Sequence, residues 1–112
     1  NEVFDRLLAD LGYGELKVLL VVIRQTYGWK DKRTGKHKPW DWISQQFFVR
    51  KTGLSGRTVS TSISTLIDKG FIQVKNEKGK IMKRKKERRL ERKLYYASRI
   101  STKLVNLTTQ NQ

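Results

Sequence analysis

Residues 43–72, ISQQFFVRKTGLSGRTVSTSISTLIDKGFI, place the strongest constraint on the fold of this chain. Two amphipathic stretches with helical spacing flank a short turn at residues 52–55. Within that turn, Gly53 can adopt the left-handed backbone conformation that ends a helix. Ser55 can accept a hydrogen bond from the free N–H groups that open the next helix. The pattern therefore predicts a helix-turn-helix, with helices over residues 45–52 and 56–69.

The second of these helices has one apolar face and one face of short polar side chains. Its apolar stripe consists of Val59, Ile63, Leu66 and Ile67. The opposite face carries hydroxyl groups and one guanidinium, from Arg57, Ser60, Thr61, Ser64 and Thr65. A helix of this kind can bury one side and place the other in the major groove of DNA. Helix pairs with a glycine turn are also common on ordinary protein surfaces, so the pattern alone leaves both interpretations open.

The residues that follow predict a β-hairpin. Gly70 ends the helix, and residues 71–76 alternate as a half-buried strand does, while residues 94–97 suit a returning strand. Residues 81–93 between them fit either a long mobile wing, which we expect, or a charged helical insert. The predicted fold class is mainly α with a small β-hairpin, a winged helix-turn-helix.

Two more helices are predicted before this unit, over residues 2–11 and 15–27. The second is apolar nearly all round in its middle, so we expect it to be the most buried helix. Its inward-facing residues are predicted to be Leu16, Leu19, Leu20, Ile23 and Tyr27. The core is predicted to form where Val59, Ile63 and Leu66 meet Phe48 and Leu20.

The length and composition bound the class of protein. A chain of 112 residues indicates one domain, over residues 1–100, with 101–112 as a polar tail or the start of a linker. The absence of cysteine excludes disulfides and thiolate metal sites and fits the cytoplasmic location that we expect. The longest apolar stretch, residues 18–23, is too short to cross a bilayer, and no membrane partner is expected. The first residue is Asn, which leaves open that the chain is a fragment.

The net charge of +15 is unevenly distributed. Residues 30–38 hold five basic residues and one acid, and residues 78–93 hold ten basic residues and two acids. Such segregation indicates a polyanionic partner, although solvated basic loops would give the same composition. The predicted phosphate-binding residues are Lys36, Lys38, Lys80, Lys83, Arg84, Lys85, Lys86, Arg88 and Arg89.

The residues predicted to contact DNA from the helix-turn-helix lie at the start of its second helix and along its polar face. They are Ser55, Arg57, Thr58, Ser60, Thr61 and Ser64. Arg57 falls in the first turn, where recognition helices meet base edges, and it suits a bidentate contact to guanine. Trp29, Trp40 and Trp42 bracket the basic loop, where they could stack on bases but more often pin such a loop to the core.

Catalysis is not expected. His37 is the only histidine, so neither a histidine-based triad nor a zinc site with several His or Cys ligands can be assembled. The chain has no glycine-rich loop of the GxxxxGK[ST] type. We therefore expect no enzyme activity, no cofactor and no metal.

Residues 19–29, LLVVIRQTYGW, carry a resemblance to a known family, together with IS at 43–44, TGLS at 52–55, RTV at 57–59 and GFI at 70–72. Over about residues 2–76 the chain resembles the amino-terminal domain of phage replication initiators of the lambda O type. The resemblance implies a domain that binds repeated or inverted origin sites in double-stranded DNA as a homodimer. It also implies recruitment of the helicase machinery by a separate carboxy-terminal region, which is not visible in this chain.

Three functions remain open on the sequence. The resemblance favours the origin-binding domain of a phage or plasmid replication initiator. A transcriptional regulator could use the same winged helix-turn-helix. A third possibility is a non-specific nucleic-acid or protein-interaction module dominated by its basic segment.

Overall fold

The computed structural model describes residues 2–27 and 40–100. In chain order the elements are α1 (Glu2–Ala9), α2 (Tyr13–Tyr27), β1 (Asp41–Trp42), α3 (Gln45–Thr52), α4 (Gly56–Asp68), β2 (Ile72–Lys75), α5 (Lys85–Arg89) and β3 (Tyr95–Ser98). The predicted fold class is confirmed, since the described part is mainly helical with a small antiparallel sheet. Lys36, Lys38 and the predicted tail at 101–112 lie outside the described residues.

The helix-turn-helix forms with the helix end predicted at Gly53 and the cap predicted at Ser55. The Ser44 side chain accepts a hydrogen bond from the Phe47 backbone N–H at 3.1 Å and so begins α3. Gly53 ends that helix with φ at 75°, in the left-handed region. Ser55 then accepts from the Thr58 N–H at 3.2 Å and begins α4. Each of these caps satisfies a backbone group that a helix end would otherwise leave free.

The sheet has the strand order β1-β3-β2, with both pairings antiparallel. Tyr96 in the central strand is the partner of Asp41 on one side and of Val74 on the other. From α2 onward, the chain order is helix, strand, two helices, strand, the short helix α5 and strand. This is the order expected of a winged helix-turn-helix with a helix inserted between its last two strands.

The connection between β2 and β3 differs from the predicted long mobile wing. The Asn76 side-chain oxygen accepts from the backbone N–H groups of Lys78 and Lys80, at 3.0 and 2.9 Å, and closes a tight turn. Met82 is buried, and its N–H donates to the carbonyl of Val74 at 2.8 Å. The prediction is wrong here because these contacts return the segment to the sheet at once.

The alternative form, a charged helical insert, is present over part of this segment. It is the five-residue helix α5, which packs against α4. The Glu87 side chain accepts from the Arg84 N–H at 3.3 Å and stabilises the start of α5.

The core lies where α4 faces α2, α3 and the sheet. Val59, Ile63 and Leu66 are buried as predicted, and so is Phe48 of α3. The Phe48 ring meets Tyr96 edge-on, with centroids 5.1 Å apart and an interplanar angle of 72°. This edge-to-face arrangement is favourable for two aromatic rings.

The rotation of α2 differs from the prediction. Its buried residues include Val18, Leu19, Val22 and Thr26, whereas Leu20 is 54% exposed. A helix that is apolar nearly all round does not reveal from its pattern which side packs, and α2 packs against α3, α4 and β3 together. Thr26 tolerates burial because its hydroxyl donates to the carbonyl of Val22 at 2.8 Å.

Gly14 permits the close approach of α2 to α4. The second helix was predicted to begin at residue 15, but α2 begins at Tyr13 and includes Gly14. A Cβ atom at this position would lie 3.3 Å from the Ser62 hydroxyl oxygen and 3.5 Å from a methyl carbon of Leu54. Glycine therefore lets the first turn of α2 pack tightly against α4 and the preceding turn.

Replacing Ile63 with alanine tests the orientation of α4. Ile63 is 1% exposed, so Ile63→Ala should lower the free energy of unfolding by about 2 to 5 kcal/mol through lost burial and the cavity left behind. Leu20→Ala removes a similar side chain from an exposed position and should cost much less. Urea denaturation of both variants measures the difference. Equal losses of free energy in the two variants would contradict the orientation described here for α2 or α4.

The burial of the Tyr96 hydroxyl leads us to predict that the free energy of unfolding falls at alkaline pH. Burial raises the pKa of its hydroxyl from the usual 10.0 to about 12, although the nearby Arg88 lowers it. The folded protein then retains a proton that the unfolded chain releases, so stability falls as the pH rises from 10 towards 12. The slope reaches about 1.4 kcal/mol per pH unit.

Denaturation curves at several alkaline pH values measure this slope in the wild type and in Tyr96→Phe. The phenylalanine variant should lose this contribution and show a flatter profile. Tyr95→Phe, which changes the neighbouring and less buried residue, is the matched control. An unchanged profile in Tyr96→Phe would contradict the assignment.

Candidate nucleic-acid interface

The amino-terminal half of α4 presents an exposed polar face. Arg57, Thr58 and Thr61 are exposed, and Thr65 one turn later is half-buried. Because α4 is held by its buried opposite side, this face has a fixed direction. The positive end of the helix dipole lies at the same place as the Arg57 guanidinium, which favours an anionic ligand there.

Ser55 and Thr58 are occupied in part by capping. The Ser55 hydroxyl donates to the Thr58 hydroxyl oxygen at 2.9 Å while it accepts from the Thr58 N–H. Both residues are exposed, so the predicted role in DNA contact stays a prediction for them. Their observed role is to fix the first turn, from which Arg57 projects.

Arg88 does not occupy the position that we predicted for it. It is 6% exposed, and its guanidinium donates hydrogen bonds to three acceptors inside the protein. These are the Lys83 carbonyl at 2.9 Å, the Ser60 carbonyl at 3.1 Å and the Ser64 hydroxyl at 2.9 Å. The predicted phosphate contact is wrong for Arg88 because its donors face α4 and the segment before α5.

Burial also changes the acid–base chemistry of this guanidinium. Desolvation lowers the pKa of Arg88, while its interactions with Tyr96 and Asp68 act in the opposite direction. A buried guanidinium needs hydrogen-bond acceptors to offset its lost hydration. The three oxygens supply them.

Ser60 and Ser64 lie under this contact and are half-buried. The Ser64 hydroxyl accepts from Arg88 and itself donates to the Ser60 carbonyl at 3.2 Å. The Ser60 hydroxyl accepts from the Gln45 side chain at 3.1 Å. The structure therefore engages both hydroxyls within the protein rather than presenting them freely to a groove, as we had predicted.

The remaining predicted cations of this segment have solvent-facing side chains. Lys80, Lys83, Arg84, Lys86 and Arg89 are exposed, and Lys85 is half-buried. Their arrangement along the turn and α5 suits contact with a phosphate backbone, which stays a prediction. The side-chain amide of Asn76 donates to Glu91 at 3.2 Å and ties the turn to the residues after α5.

Gln45 is a residue at this surface that the sequence did not single out. It is exposed, and its side-chain amide donates to the Gly56 carbonyl at 2.8 Å as well as to Ser60. The bond connects the start of α3 to the first turn of α4. Only its place directly after the Ser44 cap hinted at this role.

Two of the three tryptophans lie among the described residues, and both meet lysine side chains. The Lys75 ammonium lies 4.2 Å from the centre of the Trp40 ring, and the Lys93 ammonium lies 5.1 Å from that of Trp42. Trp40 is half-buried, whereas Trp42 is exposed. These contacts place Lys75 and Lys93 over aromatic faces at the sheet.

In the described ranges, 2–27 and 40–100, no group of three or more His, Cys, Asp or Glu side chains is placed to hold a metal ion. None of the helices that the structure describes has the length and hydropathy required to span a bilayer.

Comparison with known proteins identifies a family that includes this chain. No curated protein and no solved structure matches the chain significantly. The model of the bacteriophage replication protein O family matches residues 1–87, which is most of the chain and includes α1 to α4, β2 and the start of α5. The resemblance that the sequence suggested is confirmed: this chain belongs to the bacteriophage replication protein O family and has the role of a phage replication initiator.

Proposed function

We propose that this chain binds double-stranded DNA sequence-specifically at a replication origin, with the amino-terminal half of α4 in the major groove. The observation that carries this proposal is the exposed Arg57 in the first turn of a helix whose opposite side is buried through Val59, Ile63 and Leu66. Recognition helices of helix-turn-helix proteins contact base edges from this part of the helix. Family membership supports the origin as the place of binding.

The two ends of α4 differ in what they offer to DNA. Arg57 and Thr61, one turn apart, are exposed near the amino terminus. At the other end Asp68 is exposed, and a carboxylate there disfavours a close phosphate. The contact is therefore expected to concentrate on the first half of the helix.

The exposed cations of the turn and α5 supply the second part of the proposed interface. Side chains such as Lys83 and Arg89 lie outside the α4 face proposed to enter the groove, so we expect them to bind phosphate oxygens, which carry no direct sequence information. Their contribution is expected in affinity and in the positioning of α4 on the duplex. The cytoplasm of the host bacterium, where phage DNA replicates, is the location that we propose.

Two further partners follow from the same proposal. Repeated or inverted origin sites would be bound by a homodimer, because two-fold related sites match two copies of one domain. Recruitment of the helicase machinery would need a further region of the protein.

DNase footprinting on the DNA of the source replicon distinguishes an initiator from a regulator. Protection of origin repeats supports the proposal, and protection of a promoter operator alone supports the transcriptional alternative.

Arg57→Ala tests the base contact. Loss of a bidentate guanine contact should weaken binding to the specific site by about 1 to 3 kcal/mol, or roughly 5- to 150-fold, and relax the preference at one base pair. Fluorescence anisotropy with the specific site, single-base variants and random DNA measures both effects. Arg6→Ala, which removes an exposed arginine of α1, is the control. An equal loss on random DNA would show that Arg57 contacts phosphate only.

The dependence of binding on salt tests the phosphate contacts. With about 6 to 10 phosphates neutralised, affinity should fall roughly 10³- to 10⁵-fold between 50 and 200 mM salt. Lys83→Gln should reduce the slope of log affinity against log salt by about 0.9 and weaken specific and random DNA alike. A fall in the specific-to-random ratio, greatest with A·T-rich flanks, would instead indicate insertion into the minor groove. An unchanged slope would remove Lys83 from the interface.

A further inference from the structure

We propose that α4 and α5 form one composite DNA-contact surface, and that Arg88 is its positioning residue. Arg88 touches no DNA in this arrangement. It fixes where the exposed cations of α5 lie relative to Arg57 and Thr61. The inference rests on the proposed DNA binding. It adds that Arg88 sets the position of the phosphate-binding side chains of α5 relative to the groove-facing helix α4.

The guanidinium of Arg88 joins two separate parts of the chain. One terminal nitrogen donates to the Lys83 carbonyl at 2.9 Å and holds the residues that enter α5. The other donates to the Ser60 carbonyl and the Ser64 hydroxyl of α4, at 3.1 and 2.9 Å. A single side chain therefore connects α5 to the flank of α4.

That flank borders the face proposed to enter the groove. Ser60 and Ser64 lie three and seven residues after Arg57, which places them one and two turns along the same side of the helix. Thr61 neighbours Arg57 in the same way. Docking at Ser60 and Ser64 thus sets α5 directly beside the Arg57 and Thr61 face.

The docking is needed because α5 is weak as a helix by itself. Five residues are well below the length at which an isolated helix is stable in water. Lys85 and Arg89 are four residues apart, so their like charges repel on the same side of the helix. Without the bond network of Arg88, α5 would lose the hydrogen bonds that this side chain makes to α4.

Arginine suits this role better than lysine. Its planar fork presents several N–H donors in fixed directions and reaches three acceptors at once. A lysine would bring the same charge as a single ammonium and could not reproduce this geometry. The site therefore requires the shape of the guanidinium as well as its charge.

Placement of α5 matters for recognition because phosphate contacts fix the register and orientation of a protein on the duplex. Lys86 and Arg89 are exposed on α5 and are the side chains that can make such contacts. If α5 moves relative to α4, the backbone contacts and the groove contacts of Arg57 no longer fit one duplex together. Loss of Arg88 should then cost both affinity and specificity.

A double-mutant cycle tests this inference. The variants are Arg88→Ala, the pair Lys86→Gln with Arg89→Gln, and all three changes together. Binding to the origin site and to random DNA is measured over a range of salt. The pair should lower the salt slope by about 1.8, at about 0.9 for each phosphate that is no longer neutralised, and leave the specific-to-random ratio nearly unchanged.

Arg88→Ala should lower the slope to a similar extent and also reduce the specific-to-random ratio. In the combined variant no further loss of slope is expected, because Arg88 acts through the cations already removed. Additive loss of slope would show that Arg88 acts independently of Lys86 and Arg89 and would overturn the inference. A wild-type slope and ratio in folded Arg88→Ala would overturn it as well.

Arg88→Lys keeps the net charge and provides a second test of the inference if the alanine variant does not fold. It should behave like Arg88→Ala in both slope and ratio, whereas full wild-type binding would show that a point charge suffices. Hydrogen exchange adds a readout that needs no DNA, since the amides of α5 should exchange faster in both Arg88 variants. If the wild type shows no sequence preference, the proposed origin binding fails, and unchanged exchange would separately reject the docking.

Discussion

The packing of α4 against α2 is the interaction on which the rest of the structure depends. Ile63 and its neighbours on the stripe are buried in this contact, and Gly14 lets the backbone of α2 approach closely. Because α2 also packs against α3 and β3, it fixes both helices of the helix-turn-helix relative to the sheet. The polar face of α4 has a defined direction only because its other face is held. The position of α5 then follows from α4 through Arg88.

Features that depend on nearby residues could be predicted from the sequence. Ser44, Gly53 and Ser55 act on backbone groups within four residues, so the bounds of α3 and the start of α4 follow from them directly. The stripe of α4 was equally clear because its polar residues leave a single apolar face. The rotation of α2 was not predictable in this way. Leu20 is as apolar as Leu19, and only the surrounding elements determine which of the two is buried.

In the candidate site, too, the residues whose positions depend on nearby sequence could be predicted, and those whose positions depend on distant contacts could not. Arg57 follows a helix cap and lies opposite an apolar stripe, so its exposure could be inferred locally and is observed. Arg88 and Arg89 are adjacent and chemically identical, yet one is buried and the other exposed. The difference comes from acceptors on residues 24 and 28 positions earlier in the chain, which composition cannot reveal. The one local hint was Glu87, an acid in a basic run that stabilises the start of a helix.

The like charges of α5 repel each other and destabilise this helix. Binding of the proposed polyanionic ligand would reduce that repulsion. Repulsion between Lys85 and Arg89 costs about 0.2 to 0.5 kcal/mol, and a five-residue helix has little stability of its own to offset it. A phosphate backbone would screen that repulsion, and any ligand that binds only the docked form stabilises it by mass action. The buried Arg88 then holds the docked form in free protein, and DNA would strengthen it on binding. If every cation of this basic segment faced solvent, the docking of α5 on α4 and the binding of DNA would not be coupled in this way.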